Sequence, residues 1–147
     1  MLEILNTTKK HVCGRKARRL SDDILSFYKL SDKDVSLVVV GDRKMRTLNR
    51  DFRGLDKSTD VLSFSAVKAP EQNLLGEIFI NLDDAARPEK YLEIFGRRRS
   101  REYIFYFLLA HGLLHLVGYD DKTEKGRLAM VELGTKFMNR LFPEKVV

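Results

Sequence analysis

The chain has 147 residues, 44% hydrophobic and 33% charged, which suits one globular domain with a real core and excludes a disordered or collagen-like chain. Lysine and arginine number 27 against 21 aspartates and glutamates, and the net charge of +6 favours an anionic partner such as nucleic acid. A single cysteine, Cys13, excludes an intramolecular disulfide and a cysteine zinc cluster, and it fits a reducing cytoplasm.

Leu2–Asn6 opens the chain as a short strand, with Glu3 interrupting any signal-peptide pattern. Cys13 stands beside Lys9, Lys10, Arg15 and Lys16, charges that could lower a thiol pKa, but it reads first as a small apolar residue near a helix start. Leu20, Ile24, Leu25, Phe27 and Tyr28 recur at helical spacing and predict an amphipathic helix over Gly14–Leu30. The β-branched run from Asp34 to Gly41 predicts a buried strand, and Asp42 is expected to cap a helix through Met45, Leu48 and Phe52. Asp60–Phe64 and Glu77–Asn81 read as two further strands, separated by a loop containing Pro70 and Asn73.

Beyond Asn81 the pattern becomes helical. One helix is expected over Leu82–Phe95 despite Pro88, stopped by Gly96. The most hydrophobic element, Arg98–Val117, should be the central buried helix, ended by Gly118. The apolar stretch Tyr103–Tyr119 is too short to span a bilayer and is broken by two histidines, so no membrane association is expected and the protein reads as cytoplasmic. Thr123 should cap a last helix, Glu124–Leu141, burying Leu128, Val131, Leu133 and Phe137. These elements imply one α+β domain over residues 1–147, a small mixed four-stranded sheet packed by helices.

His111 and His115 are four residues apart, so their imidazoles leave one face of the central helix about one turn apart. That geometry lets two nitrogens share a tetrahedral metal; the alternative is two core histidines bonded to backbone carbonyls. Gly118 then turns the chain, and Asp121 follows His115 by six residues, the spacing of the third ligand in the metzincin pattern. A metalloprotease, however, needs a glutamate after the first histidine, and that position is Gly112.

The run His111-Gly-Leu-Leu-His115-Leu-Val-Gly118-Tyr-Asp120 resembles the metal motif of the YbeY-type endoribonucleases of ribosomal RNA maturation. The segment Leu48 to Phe64, containing Arg53-Gly-Leu-Asp-Lys-Ser58-Thr-Asp60-Val-Leu-Ser63-Phe64, is similar to a second family block, with Ser58 where proline is usual. Leu75-Gly-Glu-Ile78 is similar to a third. The resemblance implies a small α+β fold, one zinc ion per chain on three histidines, and cleavage of single-stranded RNA in ribosomal RNA processing and late small-subunit maturation. His111 and His115 carry over as ligands, while Asp121 stands where the third histidine is expected. Asp120 is the rival ligand but matches a family position of its own. A carboxylate in that place makes bound water less acidic and moves metal preference towards manganese or cobalt.

Arg53 matches a family arginine linked with catalysis, and a guanidinium beside a metal suits a scissile phosphate; without the resemblance it reads as a surface arginine after a helix. Ser63 is a candidate to orient substrate or water, or simply a packing residue. The run Arg97-Arg98-Arg99-Ser100-Arg101, and the stretch Lys9, Lys10, Arg15, Lys16, Arg18 and Arg19, are either RNA contacts or solvated charge. Two other functions fit the same residues: a ribosome maturation factor with a structural metal and no cleavage, and a metal-dependent hydrolase of small molecules or peptides.

Overall fold

The β-branched runs form strands because Val and Ile pack well on a pleated surface, and here they are covered on both faces. The computed structural model describes residues 1–66 and 73–143; Pro70, assigned to the inter-strand loop, lies outside the described residues. Four strands, β1 (Leu2–Asn6), β2 (Asp34–Val40), β3 (Val61–Ser65) and β4 (Leu74–Asn81), form one sheet in the order β1-β2-β4-β3. β1, β2 and β4 run parallel, and β3 lies antiparallel to β4 at the edge. The mixed four-stranded α+β domain expected from the sequence is present.

Alternation assigns the two faces. Leu2, Val35, Leu37, Val39, Ile78 and Ile80 point into the main core, shared with α1 (Gly14–Phe27), α5 (Arg101–Val117) and α6 (Glu124–Leu141). On the other face Val40 and Leu62 pack against Met45 and Leu48 of α2 (Asp42–Arg53). Twelve of the seventeen residues of α5 are buried, so it is apolar all round and sits between the sheet and its helical neighbours. Each fully buried Leu, Ile or Phe there contributes about 1.5–3 kcal/mol relative to exposure.

Several boundaries differ from the sequence expectation. α1 ends at Phe27, not Leu30, because Lys29 adopts φ 59° and turns the chain. Leu20, Ile24 and Leu25 are buried as expected, but Phe27 is 61% exposed. Asp42 does not cap α2. Gly41 holds the cap position, and the Asp42 amide donates instead to Asp83 Oδ2 at 2.9 Å. A Cβ on Gly41 would stand 2.8 Å from that same oxygen, so a side chain there would displace the Asp83 carboxylate from the Asp42 amide.

The single helix expected over Leu82–Phe95 is three pieces: α3 (Leu82–Ala85), a 3₁₀ turn (Pro88–Tyr91) and α4 (Leu92–Phe95). Pro88 lacks the amide that would continue the ladder. Gly96, at φ 70°, ends α4 as expected. α5 begins at Arg101, three residues later than expected, because Ser100 caps it by accepting from the Tyr103 amide at 3.1 Å. In α6, capped by Thr123, the buried stripe is Met130, Gly134, Phe137 and Met138; Val131 and Leu133 flank it, and Leu128 is 53% exposed. No helix of the described residues is long and apolar enough to cross a membrane.

Candidate metal centre

α5 and the edge strand β3 meet too closely for a side chain at position 112. A Cβ on Gly112 would lie 2.9 Å from Ile78 Cγ2 and 3.1 Å from Ser63 Oγ. Ser63, in the middle of β3, donates its hydroxyl to the Gly112 carbonyl at 3.1 Å. This packing turns the two histidines away from the core, into a cleft of about 710 Å³ along β3. Its walls include Asn49 and Arg53 of α2, Lys57 and Asp60 of the following loop, the β3 backbone, His111, His115 and Asp121.

Gly118, at φ 126°, ends α5 and reverses the chain. The turn places the Tyr119 carbonyl 3.1 Å from His115 Nδ1. A carbonyl can only accept, so Nδ1 carries a proton and donates, and His115 turns its Nε2 to the cleft. His111 Nε2 lies 3.1 Å from that atom, and Asp121 Oδ2 lies 3.5 Å from each Nε2. Asp121, not Asp120, therefore reaches the histidines; the Asp120 carboxylate accepts from the Lys122 amide at 3.1 Å.

These three separations suit a metal. Ligands about 2.0–2.1 Å from a tetrahedral ion are about 3.3–3.4 Å from one another, which falls between the shortest and longest observed edges. Burial, then the neighbouring His115, pushes the His111 pKa below its ordinary value, with Asp121 and Asp60 opposing. The imidazole is thereby kept neutral, the form that ligates a metal. His111 and His115 side chains are 16% and 24% exposed, so the donors are shielded yet reachable.

The cation supply is set by pairing. Of the arginines of α2 near the cleft, Arg46 is bound by Asp56 and Arg50 by Asp51, whereas Arg53 has no hydrogen bond or ion pair among the described residues. It opens onto the cleft with Lys57 and Lys122. The loop leading to Asp60 is fixed from below by buried Asn81, whose amide donates to Asp42, Ser58 Oγ and the Thr59 carbonyl at 2.8, 3.0 and 3.2 Å. Ser58, the departure from proline, joins this network through its hydroxyl. Arg87, bonded to Asp42, holds that carboxyl down to about 2.

The other basic candidates do not enter this cleft. Arg97, Arg98 and Arg99 flank a separate hollow of about 360 Å³ with Tyr103 and Phe142, and Arg99 stacks 4.3 Å from the Tyr103 ring centre. In the N-terminal stretch, Lys16 pairs with Glu102 at 2.9 Å, Lys10 with Asp83 at 3.9 Å, and Arg18 donates to the Leu2 carbonyl. Cys13 precedes α1, and backbone hydrogen bonds, first that of Lys16, lower its pKa. Sequence reasoning missed Asp60, Lys57 and the Tyr119 carbonyl as parts of the site. Asp60 stands inside the Thr59-Asp60-Val61 run of the second family block, but only the β3 edge brings it beside the histidines.

A family model described as "Endoribonuclease YbeY" matches residues 3–142. An endoribonuclease YbeY of Anaeromyxobacter dehalogenans is 42% identical over 134 residues, 88% of this chain and 67% of that protein. One of Nitratiruptor is 41% identical, covering 70% and 67%, and one of Desulforamulus reducens 39%, covering 75% and 73%. The chain thus spans about two thirds of the length of the first two relatives. A solution structure from Thermotoga maritima superimposes with a TM-score of 0.60 and 26% identity, over 97% of this chain and 89% of that one.

Proposed function

The chain belongs to the endoribonuclease YbeY family, and from that premise we propose that it is a metal-dependent endoribonuclease cutting single-stranded RNA during ribosomal RNA processing and late small-subunit maturation. One observation supports this most: three metal-type donors and an unpaired arginine share a single cleft. In this reading His111, His115 and Asp121 hold one zinc ion, with manganese or cobalt as the alternative metals. When bound, the ion supplies Lewis acidity, drawing charge from a phosphoryl oxygen and making a nearby hydroxyl more acidic. Asp121 in place of a neutral imidazole leaves the site one unit less positive, which weakens that acidification.

The chain's own residues do the rest. Arg53 forks onto the scissile phosphate and neutralises charge that grows on its oxygens as the fifth bond forms. Lys57 and Lys122 hold the neighbouring phosphates and set the strand's path. Ser63 has committed its proton to Gly112 and offers substrate only an acceptor. No Phe, Tyr or Trp among the described residues lines this cleft, so base readout is weak and the choice of site falls to the ribosomal context. A ribosomal RNA substrate and a lone cysteine support a cytoplasmic location.

Nuclease-free protein incubated with single-stranded RNA tests the reading. Wild type should cut, and Arg53→Ala should lose about 10²–10³-fold in kcat, as removal of a charge-stabilising donor does. Equal cutting by Arg53→Ala and His115→Ala would assign the activity to a contaminant. Binding to small ribosomal subunits without cutting would favour a maturation factor with a structural metal instead.

A further inference from the structure

We propose that Asp60 is the general base of the cleavage reaction, taking the proton from the hydroxyl that attacks phosphorus. The inference rests on the endoribonuclease reading. Two-histidine helices of metalloproteases carry their base beside the first histidine, and Gly112 closes that place here, with Ile78 and Ser63 filling the volume a side chain would need. The base must therefore come from another wall of the cleft.

Among the described residues only two carboxylates line it, Asp60 and Asp121. Asp121 turns its Oδ2 to both histidines. Arg53, Lys57 and Lys122 are donors, and the Ser63 hydroxyl is engaged by Gly112. Asp60 remains, and it is held firmly. Its carbonyl accepts from the Asn81 amide at 2.8 Å, and its Oδ2 accepts from the Tyr91 hydroxyl at 3.1 Å. Tyr91 is 3% exposed, and burial pushes its pKa up, so that hydroxyl stays a donor. Oδ1 has no hydrogen-bond partner among the described residues and is left for the reaction.

The step balances simply. The O–H bond of water, or of the ribose 2′-hydroxyl, breaks as its oxygen bonds to phosphorus and its proton passes to Asp60. The bond from phosphorus to the leaving ribose oxygen breaks, that oxygen is protonated by solvent, and Asp60 returns its proton to solvent.

Asp60→Asn tests this, because the amide oxygen still accepts from Tyr91 and the fold is preserved. With single-stranded RNA, kcat should fall about 10²–10⁴-fold, while zinc content and RNA affinity stay within about twofold of wild type. Exogenous formate should restore part of the activity of Asp60→Ala. A substrate with one 2′-deoxy residue at the cut site separates the nucleophiles: continued cutting identifies water, and loss identifies the 2′-hydroxyl.

Asp60→Asn cutting within about fivefold of wild type would overturn the proposal. So would an equal loss in Tyr91→Phe, which marks Asp60 as a structural acceptor, or a loss of zinc, which marks it as a ligand. If wild-type protein cuts no RNA while binding zinc, the endoribonuclease reading has failed, and this inference falls with it.

Discussion

The two ends of α5 both carry polar side chains, and they are built in different ways. At the C-terminal end, two imidazoles and a carboxylate converge to within 3.5 Å in a walled cleft. At the N-terminal end, roughly 25 Å away along seventeen residues of helix, Arg97, Arg98 and Arg101 are exposed and make no hydrogen bond or ion pair among the described residues. The first end is an arrangement in which burial, tautomer and turn geometry cooperate. The second is charge with little geometry. Convergence supports chemistry, whereas dispersed charge supports affinity alone.

Two variants sharpen that contrast. At the convergent end, Asp121→Ala should weaken zinc binding at least about 100-fold in a competition titration, because a ligand is removed outright. RNA affinity at low salt should barely move. Retained zinc affinity in that variant would transfer the third-ligand role elsewhere. At the dispersed end, the double variant Arg97→Ala/Arg98→Ala should leave kcat and zinc content unchanged. Its effect should be on RNA affinity, with the slope of log affinity against log salt shallower by about one for each phosphate that these arginines neutralise in wild type. An unchanged slope would show that they are solvated charge; a lower kcat would show that the two ends are not separable.

The same contrast explains what the sequence disclosed. The histidine pair, Gly118 and Thr123 were legible because local spacing determines them: four residues make about one helical turn, and a positive φ calls for glycine. The strands of the sheet were legible from β-branched runs. Tertiary packing hid the rest. Asp42 looks like a cap, yet Asp83, far along the chain, accepts from the amide at that helix start and leaves the Asp42 carboxylate to Arg87. The Leu82–Phe95 pattern has helical spacing but breaks at Pro88, and Leu128 fits the periodicity yet faces solvent. Asp60 was the costliest omission. Nothing near it in the chain marks it as reactive; its cleft position follows from the β3 edge, Asn81 and Tyr91.

In the proposed function His111, His115 and Asp121 form one metal centre. Metal analysis of protein purified without a chelating tag, followed by zinc titration, is the decisive experiment. About one zinc per chain is expected in wild type if the three converging donors share one ion, and that equivalent should be lost in His111→Ala with the fold intact by circular dichroism. A wild-type protein that takes up no zinc, manganese or cobalt on titration, or a His111→Ala variant that keeps its metal, would contradict it.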